Sequence, residues 1–129
     1  MIDLNVTINT ALLTRTALTA IIGARLWPDT SEVLAGYTPN DGGALAFRIR
    51  GGDVLYRGGV ARVSVQFKCW GIDKSTANQV ESVLYDVLHD QAFGGIKSAY
   101  IEQIPQSSEE PDTEWPFVLA FYALWLAVV

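Results

Sequence analysis

Cysteine, histidine and methionine each occur once in this 129-residue chain, as Cys69, His89 and Met1. A lone cysteine excludes an internal disulfide framework. One Cys and one His also cannot supply the usual ligands of a structural zinc site, so no metal is expected. Basic residues are scarce as well: 9 Lys and Arg stand against 14 Asp and Glu, for a net charge of −5. That balance excludes the Lys/Arg stripe needed to grip a nucleic-acid backbone. Met1–Asn5 has no basic n-region, and Asp3 stands where a signal peptide carries positive charge, so folding in a reducing cytoplasm is expected. The apolar segment Phe117–Val129 falls short of the ~20 residues of a membrane span and lacks flanking Lys or Arg. It reads as a strand, and no membrane partner is expected.

Half of the residues are apolar, enough for one continuous core and a single domain over 1–129. Leu4 to Ile22 carries a helical stripe, Leu4, Ile8, Ala11, Leu12, Leu18, Ile21 and Ile22. Thr14-Arg15-Thr16 interrupts it, and Thr16 can cap a second short helix over Ala17–Ile22. Gly23 suits the left-handed position past a helix end. Trp27 to Gly43 has no periodicity and contains Pro28, Pro39 and Asn40-Asp41-Gly42-Gly43, which predicts a long irregular connection. Leu45, Phe47 and Ile49 alternate with polar neighbours as a strand, and Gly51–Gly59 reads as a turn-rich loop. Ala61, Val63, Val65, Phe67 and Cys69 then alternate with Arg62, Ser64, Gln66 and Lys68 as a second strand, paired antiparallel with the first.

Asp73 to His89 predicts the clearest helix, with Val80, Val83, Leu84, Val87 and Leu88 on one stripe, Asp73 or Ser75 as cap and Gly94-Gly95 beyond its end. Burying those five side chains contributes roughly 7–15 kcal/mol. Fixing ~15 backbone units costs at least as much, so the helix forms only when packed. Ser98–Ile104 and Pro116–Val128 complete the strands, with an acidic loop, Pro105–Trp115, between them. The expected fold is α+β: a largely antiparallel four-stranded sheet with two helical segments packed on one face.

The last strand is apolar on both faces. Its odd positions are Phe117, Leu119, Phe121, Ala123, Trp125 and Ala127; its even positions are Val118, Ala120, Tyr122, Leu124, Leu126 and Val128. The helices can cover one face. Either the Trp27–Gly43 loop roofs the other, or a neighbouring subunit does. The even set is taken as the interface, with Tyr122, Leu124 and Leu126 joined by Tyr56 and Arg57, because tyrosine suits a surface part dry and part polar.

Chemistry is sparse. His89, near a helix end, suits a surface or capping role, and Cys69 lies on the apolar side of its strand as a buried thiol. The Gly-Gly pairs at 42–43, 51–52, 58–59 and 94–95 lack the Gly-Lys-Ser/Thr context of a phosphate loop and read as turns. Glu109, Glu110, Asp112 and Glu114 crowd one loop, but Pro111 and the spacing do not match a calcium loop. A solvated acidic loop facing a partner or a lumen is expected. No catalytic, cofactor-binding or metal-binding residue is assigned, and an enzyme is not expected.

The chain resembles the tail-completion proteins of long-tailed double-stranded DNA phages, also called tail terminator or tail-to-head joining proteins. The likeness spans nearly the whole chain. It runs through Ala11-Leu12-Leu13, Ala17-Leu18 and Ile21-Ile22-Gly23, then Ala24-Arg25-Leu26-Trp27-Pro28, the Phe47–Gly52 strand and the Arg57-Gly58-Gly59 lead-in. It continues through Val63–Gly71 to a helix beginning near Ser75, with Ala77, Val80, Glu81 and Leu84. The segment between Pro28 and Phe47 is longer than the family's pattern. The resemblance implies a virion protein, assembled in the host cytoplasm as a homo-oligomeric ring, usually a hexamer, at the head-proximal end of the tail tube. Its implied partners are the tail tube protein and the head connector or neck protein, with DNA passing through the lumen without specific binding. An acidic lumen repels phosphate and lets DNA slide. Two other readings are carried: another neck or tail-tube subunit, and a cellular ferredoxin-like module whose second apolar face forms a ligand pocket. Loops Thr30–Gly43 and Asp53–Gly59, long and glycine-rich, are expected to order on assembly.

Overall fold

Asp3 opens the first helix. Its carboxylate accepts the Asn5 amide hydrogen at 2.9 Å and caps α1 (Leu4–Leu13), which buries Ile8, Ala11 and Leu12. The chain breaks at Thr14-Arg15 and resumes as α2 (Thr16–Ile22), burying Leu18 and Ile22. Arg15 holds the cap position without a side-chain bond, so Thr16 is the first helical residue and not the cap expected for it. Gly23 ends α2 at φ 59° and ψ −127°, a positive-φ conformation open to glycine but distinct from the left-handed helical cap expected. The structure, a computed structural model, describes residues 3–28, 36–55 and 59–128.

The sheet has six strands: β1 (Leu26–Trp27), β2 (Ala44–Leu55), β3 (Val60–Trp70), β4 (Ile96–Ile101), β5 (Gln106–Glu109) and β6 (Pro116–Ala127). Their order is β1-β2-β3-β6-β4, with β5 also paired to β6 on the side away from β3. Every pairing is antiparallel except β1 with β2. This corrects the expected four-stranded sheet to a mixed six-stranded one, with three α-helices among the described residues, within the same α+β class. The two added strands lie inside segments read as loops. β1 is two residues long, too short for alternation to register, and it hands the chain to β2 through Leu45 N–H donating to the Arg25 carbonyl at 3.0 Å. β5 is Gln-Ser-Ser-Glu, with no apolar residue and every side chain exposed, so only its backbone pairing to β6 defines it.

β2 and β3 form a longer hairpin than expected. Pairing passes a bulge between Ile49 and Gly51 and continues to Leu55 opposite Val60. Here the backbone ladder persists although Gly51-Gly52-Asp53 lacks strand-forming side chains. The third helix, α3 (Lys74–Leu88), starts where the Asp73 carboxylate accepts from Thr76 N–H at 2.8 Å. Those bonds favour the charged form and lower the Asp73 pKa from its ordinary 3.8. α3 packs Val80, Leu84, Val87 and Leu88 onto β3 and β6. All three helices share one core with Phe47, Val65, Phe67, Cys69, Tyr122 and Leu124. Cys69 is fully buried as expected, and burial pushes its thiol up. Among the described residues no helix is long and apolar enough to cross a membrane.

Candidate functional site

β6 lies inside the sheet, between β3 on one side and β4 and β5 on the other. Its even positions, Val118, Ala120, Tyr122, Leu124, Leu126 and Val128, all point into the helix-covered core. Tyr122, Leu124 and Leu126 are 0% exposed, so the choice of this face for a neighbouring subunit is corrected: the chain's own helices occupy it. The Tyr122 ring meets Phe67 edge-on at 5.5 Å, and its hydroxyl has no hydrogen-bond partner among the described residues. Burial drives its ionisation far above the usual phenol range. Tyr56 and Arg57, the other interface residues expected, lie outside the described residues.

The odd positions of β6 form the outer face, and the chain roofs them in two ways. At the Phe117 end, Tyr37 from the long connection lies against Trp27 (5.5 Å), Trp70 (6.3 Å) and Trp115 (5.7 Å), making a second small core with Ala44, Ala46 and Phe117. The Tyr37 hydroxyl donates to the Gly42 carbonyl at 2.7 Å, and burial pushes its pKa up to about 12. Along the rest of β6, long cationic side chains lie over the rings. Lys68 Nζ sits 4.2 Å from the Phe117 centroid, the Arg50 guanidinium 4.6 Å from Phe121, and that of Arg62 5.7 Å from Trp125. Tyr100 closes the far flank, edge-on to Trp125 at 5.9 Å. Residues of the same molecule therefore cover much of the surplus apolar face, and Phe121 and Trp125 stay half-buried.

This roof creates a groove of about 250 Å³ at the hairpin end of the outer face. Arg50, Gly51, Gly52 and Asp53 of β2 form one wall, Arg62 and Ser64 of β3 another, and Glu102 and Ala123 complete the lining. The Ser64 hydroxyl donates to Glu102 at 2.7 Å. Among the described residues, neither Arg50 nor Arg62 pairs with a carboxylate; the ion pairs are Lys68–Glu110 and Lys74–Glu109. Each guanidinium thus lies over an aromatic ring and, among the described residues, makes no ion pair with its N–H groups.

The acidic residues separate by role. Glu110 pairs with the largely buried Lys68 and accepts from Trp70 Nε1 at 3.3 Å, fixing the turn after β5. Glu109 reaches Lys74 at 3.7 Å in the open, a contact of little energetic weight. Asp112 and Glu114 are exposed on the turn, where Glu114 has φ 59° and its N–H donates to the Glu110 carbonyl at 2.9 Å. Sequence reasoning grouped these four; the structure uses Glu110 as a strut, leaves Glu109 in an exposed ion pair and presents Asp112 and Glu114 outward. It missed Arg50 and Arg62 as a pair. The usable signal was their occurrence on the polar rows of β3, which flanks the aromatic β6, and of β2 next to it.

His89 caps α3 and is half-buried, in keeping with the capping role. Its ring stacks on Tyr85 at 4.7 Å, and Nδ1 accepts the Ile101 N–H at 3.1 Å, which places the proton on Nε2. With Asp90 N–H donating to the Ala99 carbonyl at 2.7 Å, this segment occupies the outer backbone edge of β4. No group of three or more His, Cys, Asp or Glu side chains able to hold a metal occurs among the described residues.

Neither protein-family models nor curated protein sequences match the chain. In fold it is similar to a solved chain from the virion of a native gene transfer agent particle. The two share 11% sequence identity with a TM-score of 0.65, over 94% of this chain and 95% of that one.

Proposed function

We propose that this chain is a non-enzymatic structural subunit of a phage-like particle, the ring that closes the tail tube at its head-proximal end and joins it to the head. One observation carries the particle assignment: the fold follows a gene-transfer-agent virion chain across nearly the full length of both. The finer assignment rests on the resemblance of the Ala11–Gly23, Val63–Gly71 and Ser75–Leu84 segments to tail-completion proteins. In this reading six copies close a ring on the last layer of tube protein, stop its growth and present a docking surface to the neck. A net charge of −5 suits a conduit that DNA crosses without adhering.

The test is assembly. Purified protein is weighed by native mass spectrometry across concentration, with and without isolated tail tubes, and imaged by electron microscopy. Closed rings that cap tubes support the terminator role. Long tubes formed by this protein alone would assign it to the tube wall, and a species that neither closes nor caps would remove it from the tail altogether.

A further inference from the structure

We propose that the Arg50–Arg62 groove on the outer face is the receptor for the acidic turn of a second copy, with Asp112 and Glu114 of one subunit seated between the two guanidinium groups of the next. The inference rests on the ring reading above and specifies the contact that builds the ring.

Four features carry it. The groove, about 250 Å³, suits one or two carboxylate side chains and presents two arginines unpaired among the described residues. The Arg50 guanidinium lies over Phe121 and that of Arg62 over Trp125, which gives each exposed side chain a preferred position beside the groove before an acid arrives. The groove's own Asp53 and Glu102 balance the two arginines in formal charge, and Arg48, exposed two positions before Arg50 and outside the lining, adds positive charge nearby on β2. The acidic turn is rigid on its side, braced by Glu110 to Lys68 and Trp70, and projects Asp112 and Glu114 without described partners.

A chain cannot satisfy its own groove. The turn adjoins Trp70 at one end of β3 and the groove adjoins Arg62, eight positions away on the same strand. At 3.2–3.4 Å per residue that separation is about 27 Å. The contact is therefore between copies. It joins two different surfaces of the subunit, and a contact of that kind propagates head to tail and closes into a ring when the rotation permits.

Two charge-reversed variants test it. Variant one carries Arg50→Glu and Arg62→Glu; variant two carries Asp112→Lys and Glu114→Lys. Each alone places like charges in the contact and should raise the protein concentration at half-assembly by about tenfold or more, with circular dichroism unchanged. Mixed one to one, every groove meets a turn of opposite sign, and assembly should return with the two variants alternating, which native mass spectrometry resolves. An Arg50→Lys, Arg62→Lys protein keeps the charge and should assemble, which separates loss of contact from loss of fold. Either variant assembling alone like the unaltered protein would overturn the groove contact and leave the ring reading standing. A mixture that stays dissociated would overturn it as well. If the unaltered protein forms open filaments that the variants abolish and the mixture restores, the contact stands and the terminator role falls.

Discussion

Replacing Tyr122 with phenylalanine should make this protein more stable. The Tyr122 side chain is completely buried beneath the helices, and its hydroxyl oxygen has neither donor nor acceptor within reach among the described residues. A buried hydroxyl without a partner costs about 1–3 kcal/mol of lost hydration. Phenylalanine removes that atom and keeps the ring, including the edge-on contact with Phe67 at 5.5 Å. The expected gain is about 1 kcal/mol or more, seen as a rise of about 3–5 °C in the thermal midpoint for a domain of this size. Truncation to alanine leaves a cavity in the same place and should cost about 3–5 kcal/mol. Both changes are read by circular dichroism melts and urea unfolding at fixed protein concentration. The phenylalanine variant should assemble as the unaltered protein does, because that face belongs to the chain's own core. A variant that folds normally but fails to assemble would mean that the hydroxyl meets a polar group of a neighbour, and would return the even face of β6 to the interface.

Three further outcomes are expected. Asp73→Ala removes the cap of α3 and should lower the thermal midpoint, with Asp73→Asn less harmful. The Asp73 pKa is lowered in the fold, so its stabilisation is complete above the ordinary 3.8 and disappears as pH falls through the lowered value; the gap between unaltered and Asp73→Ala protein should close in acid. Gly71→Ala should destabilise by about 1–3 kcal/mol in urea unfolding, because its new Cβ would lie 2.4 Å from the Ala77 backbone nitrogen, which cannot yield as a side chain would. Assembly, followed by light scattering, should weaken between 0.1 and 1 M salt as the screening length falls from ~10 to ~3 Å. Assembly that tightens with salt would point to an apolar interface instead.

Periodicity revealed the parts of this fold in which side chains decide the structure. The α3 stripe, the alternation of β3 and the cap at Asp73 are all such cases, and each is where the sequence pattern placed it. It was silent where backbone pairing decides. Gly51-Gly52-Asp53 continues β2, and Gln106–Glu109 forms β5, because a neighbouring strand offers hydrogen bonds to segments with no apolar face of their own. The parity of β6 was hidden for another reason. Tyr122 on one face and Trp125 on the other are equally acceptable inside and out, and only the placement of α3 over β3 and β6 separates them.

That placement changes the character of the outer face. A strand apolar on both sides suggested an interface driven by burial. The chain instead places Arg50, Arg62 and Lys68 over the outer rings, using their aliphatic stems as cover and their charges as the new surface. An exposed aromatic row would join copies indiscriminately, on tubes and off them. A cationic roof over the same row replaces that apolar surface with charge, and under the contact proposed above it would accept only a segment that brings carboxylates to it. In the groove contact proposed above, self-association then depends on geometry and sign more than on apolar area.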